Sequence, residues 1–162
     1  MDDLESILRQ LSGLELSIGQ YYESCAREWP DDRQFWLSIH ADELKHAQFY
    51  DQISESVREG LINAMPGRRA SPAAIKTIQA GIVANTGKVQ SHLLSKTQAL
   101  AIARDLERSV LEKNVTEMIE TGNYQYSALA KQITIDTRLH HERIEQKLRQ
   151  ELASHSSAGF PD

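Results

Sequence analysis

The sequence predicts an all-α protein: a four-helix bundle made of two antiparallel hairpins joined by a long crossover that includes a shorter helix. Three observations lead there. Apolar residues recur at steps of three and four through four long segments. The alternating pattern of a half-buried strand is nearly absent. The segments are separated by residues that stop or cap helices, namely Pro30-Asp31-Asp32, Ser71-Pro72, Ser95 with Gln98, and Gly122-Asn123.

The first helix is expected from about Asp3 to Glu28, with Leu4, Leu8, Leu11, Glu15, Ile18, Tyr22, Cys25 and Trp29 on its inward stripe. Pro30 ends it, and the aspartates after it offer a cap for the second helix, about Arg33 to Gly60. There the stripe reads Trp36, Ile39, Glu43, His46, Tyr50, Ile53 and Val57. A linker this short makes the two helices antiparallel neighbours.

The connection from about Asn63 to Leu94 opens on the turn-like Pro66-Gly67-Arg68-Arg69 and then offers a shorter helix, Pro72 to Gln90, capped by Ser71. Ser95 and Gln98 have the form of a capping box for the third helix, about Lys96 to Thr121. Leu100, Ala103, Glu107, Val110, Asn114 and Met118 form its stripe. The fourth helix runs from about Tyr124 to Leu152, with Tyr126, Leu129, Ile133, Thr137, His140, Ile144 and Leu148 inward. Residues 1–153 make one domain, and residues 154–162 read as a disordered tail.

The 162 residues are 40% hydrophobic and 25% charged, as in soluble globular proteins. The net charge of −5 favours neither nucleic acid nor an anionic membrane surface as a partner. The one cysteine, Cys25, excludes an intrachain disulfide and a four-cysteine metal site. No signal peptide or membrane-spanning run is visible, so the expected setting is cytoplasmic.

Five residues break the apolar pattern: Glu15, Glu43, His46, Glu107 and His140 fall on inward stripes, spread over all four helices and each near mid-helix. An unpaired buried carboxylate is costly enough to take up a proton or a partner. A cation between the helices gives all five a common partner, since carboxylates offset its charge and neutral imidazoles ligate it. Glu43 and His46 form Glu-x-x-His, a spacing that sets both on one helix face. The run LELSIGQYYE around Glu15 is echoed by LERSVLEKN around Glu107, which suggests a pseudo-twofold site. His141 competes with His140 as the ligand of the fourth helix, and Asp136 lies one turn before His140 as a further carboxylate.

These residues resemble the rubrerythrin branch of the ferritin-like di-iron superfamily. The match is densest in GLELSIGQYYESCAREWPDDRQFWLSIHADELKHAQFY, with Glu15, then Tyr22, then Asp42-Glu43-x-x-His46 one helix on. It extends more loosely over about residues 4–150. The resemblance implies a ferritin-like bundle with Glu15 and Glu107 as terminal ligands, Glu43 as a bridging carboxylate, and His46 and His140 as the imidazole ligands of two iron ions.

Three family parts differ. Thr137 stands where the second bridging glutamate belongs, with Asp136 beside it as a shorter substitute. Val110 replaces an additional glutamate, and the cysteines of a rubredoxin module are missing. One ion or two, iron or manganese, remain open on this pattern. The resemblance implies iron-dependent redox chemistry with peroxide or dioxygen, of the peroxide reductase or ferroxidase type, an external electron donor and a homodimer. The alternatives are iron or manganese storage, and a structural or interaction bundle whose site is partly lost.

Overall fold

The computed structural model describes residues 2–68, 71–112 and 115–157. It is mostly helical. In chain order its elements are α1 (Asp2–Glu28), α2 (Arg33–Arg58), β1 (Ala64–Pro66), α3 (Pro72–Gln90), α4 (Lys96–Glu112), β2 (Ile119–Thr121) and α5 (Tyr124–Ser157). Single 3-10 turns, Pro30–Asp32 and Val115–Met118, precede α2 and β2. Among the described residues, no helix is long and apolar enough to cross a membrane.

Local chemistry sets the helix ends. Ser95 and Gln98 form the expected capping box, with Gln98 N donating to Ser95 Oγ at 3.2 Å and Ser95 N to Gln98 Oε1 at 2.9 Å. The Ser71 hydroxyl accepts from Ala74 N at 3.3 Å at the start of α3. After α2, Gly60 adopts φ 71° and Leu61 N reaches back to Ser56 O at 2.9 Å. That left-handed residue with a six-residue hydrogen-bonded loop is a Schellman ending, and it requires a backbone glycine tolerates without strain.

Asp32 departs from its expected role. Its side chain makes no cap hydrogen bond to α2. It is buried and ion-paired instead with Lys147 and, at 3.0 Å, with Lys96, which also holds Glu151 at 3.0 Å. Two ammonium groups outcompete a backbone N–H for a carboxylate, because charge-assisted pairs are the stronger ones. The effect is to fasten the α1–α2 turn to the start of α4 and the end of α5.

α1 packs along α2 on one side and α3 on another, α4 packs along α5, and α2 meets α5. The expected stripes of α1 and α2 are buried, with Trp29 and Val57 at the ends only partly so. Leu100, Ala103 and Val110 from α4 and Ile133, Ile144 and Leu148 from α5 close the core.

Three expectations are corrected. Residues 64–66 and 119–121 form an antiparallel ribbon, pairing Ala64 with Thr121, Met65 with Glu120 and Pro66 with Ile119. The third helix accordingly ends at Glu112 rather than Thr121, although Met118 is buried as expected. Asn114 lies outside the described residues. Gly67 extends the ribbon by donating to Met118 O at 2.8 Å, and a Cβ there would come within 2.1 Å of Glu117 O. Second, Leu129 is exposed. The first turns of α5 face a cavity of about 1180 Å³ lined by Tyr126, Ser127 and Ala130, so the inward direction is rotated past Leu129. Third, α5 continues beyond Leu152 to Ser157, supported by the Arg149–Glu145 pair at 2.8 Å and by Ser154 Oγ donating to Glu151 O at 2.8 Å. The remainder of the expected tail, residues 158–162, lies outside the described residues.

Candidate metal centre

Glu15 of α1, Glu43 and His46 of α2, Glu107 of α4 and His140 of α5 are all buried, none more than 4% exposed. Each sits on the apolar stripe of its helix, so packing the stripes together forces the five polar groups to meet. Ligand atoms of Glu15, Glu43 and His46 lie within 4.8 Å of one another, as do those of Glu43, Glu107 and His140. Glu43 belongs to both groups. The His46 and His140 rings lie 6.1 Å apart, centroid to centroid.

Close approach is easiest where α1 has no side chain. A Cβ on Gly19 would stand 3.3 Å from His40 Nδ1 and 3.5 Å from Glu43 Cβ. His40 is partly exposed, and its Nδ1 lies 2.8 Å from Gly19 O.

The hydrogen bonding among these groups is incomplete. His46 Nδ1 lies 3.2 Å from Glu43 Oε2. His140 Nδ1 comes within 2.9 Å of Glu43 Oε1, but the approach is too oblique for a hydrogen bond. Glu15 Oε1, Glu43 Oε1 and His140 Nδ1 are thus buried without a hydrogen-bond partner. Such atoms carry a desolvation cost that calls for an explanation, and an ion is one of the standard ones. Three carboxylates and two imidazoles suit a divalent transition metal. The site therefore fits such an ion: the orphaned atoms belong to the same residues that form the two groups.

Electrostatics point the same way. Burial raises the Glu15 carboxyl well above its ordinary range, and the neighbouring Glu43 and Glu107 add to the shift. Burial, then Glu43, push Glu107 up to about 8. Burial opposes the charge on Glu43 too, but the His140 and His46 imidazoles against it outweigh that and bring Glu43 down to about 2. Burial likewise opposes a charge on His140, yet Glu43 and Glu107 lift it to about 9. Without metal, then, the centre holds protons where ligands would otherwise be free.

Around the five stand residues that orient them. His140 Nε2 lies 3.4 Å from Asp42 Oδ2, and His46 Nε2 lies 3.4 Å from Asp136 Oδ2. Each imidazole therefore turns its Nδ1 towards Glu43 and its Nε2 towards an aspartate on the opposite helix. Asp136, a candidate ligand from the sequence, stands behind His46 and outside both groups. Asp42 carried no assigned role in the sequence, although it precedes Glu43 as Asp136 precedes Thr137. The Tyr22 hydroxyl donates to Glu107 Oε1.

Thr137 is buried and its hydroxyl donates to Ile133 O at 2.8 Å, so it brings no carboxylate. His141 is partly exposed and outside both groups. His92 is exposed and lies 2.7 Å from Glu28 Oε2.

No family model, no curated protein and no solved structure matches this chain.

Proposed function

We propose that the chain is a ferritin-like four-helix bundle that holds two divalent metal ions, iron foremost, for redox chemistry with peroxide or dioxygen. The reading is carried by one observation: two buried ligand groups share Glu43, and Glu15 Oε1, Glu43 Oε1 and His140 Nδ1 within them make no hydrogen bond. Glu15 and His46 would hold one ion, Glu107 and His140 the other, and Glu43 both. An iron pair supplies two one-electron couples at neighbouring positions, enough to reduce peroxide.

The protein's own groups fit that work. Three carboxylates leave one positive charge uncompensated against two divalent ions, which favours an anionic or readily deprotonated small ligand. Thr137 is buried and adds no carboxylate to the centre, so the charge count stays at three. Asp42 and Asp136 hold the two imidazoles in orientation from outside. Burial of the centre keeps bulky reductants away, so electrons come from an external donor.

A second reading, a single-ion or structural centre, is favoured by Thr137 itself: with one divalent ion the three carboxylates leave a single negative charge. The two are separated by titrating metal-free protein anaerobically with ferrous iron and then adding peroxide. The proposed function expects two equivalents bound, and peroxide consumption that collapses in Glu43→Ala and His46→Ala. Saturation at one equivalent with no peroxide consumption supports the second reading. No binding at all rejects both.

A further inference from the structure

Two aromatic arrays leave the centre in opposite directions, and they differ in chemistry. On one side the Tyr22 hydroxyl donates to Glu107. The Tyr22 ring stacks on Trp36, centroids 5.8 Å apart and planes inclined by 23°. Trp36 in turn lies 6.5 Å from Trp29. Tyr22 and Trp36 are fully buried, whereas Trp29 is partly exposed beside the α1–α2 turn. On the other side Tyr50 leads to Phe49 at 5.3 Å and on to Tyr126 at 6.2 Å. The Tyr50 hydroxyl has no hydrogen-bond partner.

From this contrast we infer that Tyr22, Trp36 and Trp29 form an electron relay between the metal centre and the protein surface. Electron transfer falls off exponentially with distance, so rings in or near contact exchange electrons far faster than a buried centre does with a donor in solution. A relay also needs residues that can be oxidised and a place for the proton that a phenol loses. Tyr22 has both, with Glu107 as acceptor. The Tyr50 array lacks the acceptor and is interrupted by Phe49, whose benzene ring is too hard to oxidise.

The steps balance as follows. A metal-loaded centre would supply the one-electron oxidant; Tyr22 gives up one electron, and its phenolic proton passes to Glu107 Oε1. Trp36 gives one electron to the tyrosyl radical, which takes its proton back from Glu107. Trp29 gives one electron to the Trp36 radical cation, and an external one-electron reductant restores Trp29. One electron has moved inwards and no proton has left the protein. The buried Trp36 Nε1 has no hydrogen-bond partner. Its radical cation therefore keeps the proton, stays strongly oxidising, and can take an electron from Trp29 or from Tyr22.

The relay's purpose rests on the metal reading above, but its existence is testable in metal-free protein. Asp31 is exposed beside Trp29, and the chain's one cysteine, Cys25, is buried, so Asp31→Cys can be labelled selectively with a ruthenium photo-oxidant. Flash oxidation across pH 6 to 10 is followed by transient absorption and by electron paramagnetic resonance. The expected result is a tryptophan radical that decays as a tyrosyl radical rises. The tyrosyl signal is lost in Trp36→Phe and in Tyr22→Phe and persists in Tyr50→Phe. Absence of a tyrosyl radical in the labelled parent overturns the proposal, as does an undiminished tyrosyl signal in Tyr22→Phe. Since no metal is present, failure here leaves the metal reading to its own test.

Discussion

The outer nitrogen of His140 lies 3.4 Å from the Asp42 carboxylate, although the two belong to different helices, α5 and α2. The reciprocal contact, Asp136 of α5 against His46 of α2, has the same length. Each helix thus fixes the imidazole of the other, and the two rings face Glu43 from opposite sides. Removing either aspartate frees an imidazole to rotate without emptying the core, since both aspartates are partly exposed. Asp42→Asn and Asp136→Asn are expected to weaken metal affinity by about 10–100-fold while leaving helicity intact. Competition titration against a chromogenic chelator, with circular dichroism alongside, checks this.

Metal uptake must displace protons. At pH 7 the metal-free protein holds protons on Glu107 and His140, whose pKa values are raised to about 8 and about 9, and burial shifts Glu15 in the same direction. Binding of divalent metal at pH 7 should release about two protons per chain from Glu107 and His140, with any proton on Glu15 adding to that count. Affinity should therefore climb with pH between 6 and 9. Calorimetry in buffers of different ionisation enthalpy reads the proton count directly.

The same shifts fix the pH profile of the metal-free fold. Glu107 and His140 bind protons more tightly folded than unfolded, so their contributions are full below the unfolded values of 4.5 and 6.5 and are lost as pH rises to about 8 and about 9 respectively; Glu15 acts in the same direction. Glu43 is the opposite case: its contribution is present above the unfolded value of 4.5 and lost as pH falls towards 2. The melting temperature of metal-free protein should peak in mildly acidic buffer and fall towards pH 9. Saturating metal, which replaces the protons, should flatten that fall.

Much of this was legible in the sequence, for a physical reason. A charged residue on a long apolar stripe is a signal that many neighbours reinforce, so Glu15, Glu43, His46, Glu107 and His140 could be placed inward from spacing alone. The ribbon could not be read. Strands of three residues are too short for a period, and their pairing depends on Asn63 to Gly67 meeting Met118 to Thr121 from far along the chain. The places of Asp42 and Asp136 were hidden too, because each acts on a helix remote in sequence. Asp32 is similar: proline and aspartate spell a cap locally, but two lysines beyond residue 95 take the carboxylate.

Thr137 offers a gain-of-function experiment. It is buried, so Thr137→Glu inserts extra atoms and a carboxylate into a packed region. Overpacking of this kind costs about 1–3 kcal/mol, and an unpaired buried carboxylate adds to that. The metal-free variant should melt below the parent. With ferrous or manganous ion present, the added carboxylate acquires a partner, so the variant should gain more from metal than the parent does. Thermal denaturation with and without metal compares the two gains.

Gly19 tests the packing that brings α1 to the centre. A methyl group there would crowd His40 Nδ1 at 3.3 Å and only touch Glu43 Cβ at 3.5 Å. Gly19→Ala should improve intrinsic helix propensity by about 1 kcal/mol yet lower metal affinity to the extent that moving His40, three residues before Glu43 on α2, disturbs the centre. Opposite signs in the melting temperature of metal-free protein and in the affinity would separate the two effects.

The central claim is that acids and imidazoles from α1, α2, α4 and α5 converge because cations hold them there. Crystals grown from iron-loaded protein and measured on both sides of the iron absorption edge test it most directly. The account predicts two anomalous peaks on either side of Glu43, one bounded by Glu15 and His46 and the other by Glu107 and His140. An iron-saturated crystal with no peak among these residues, and with their protons still in place, would contradict it.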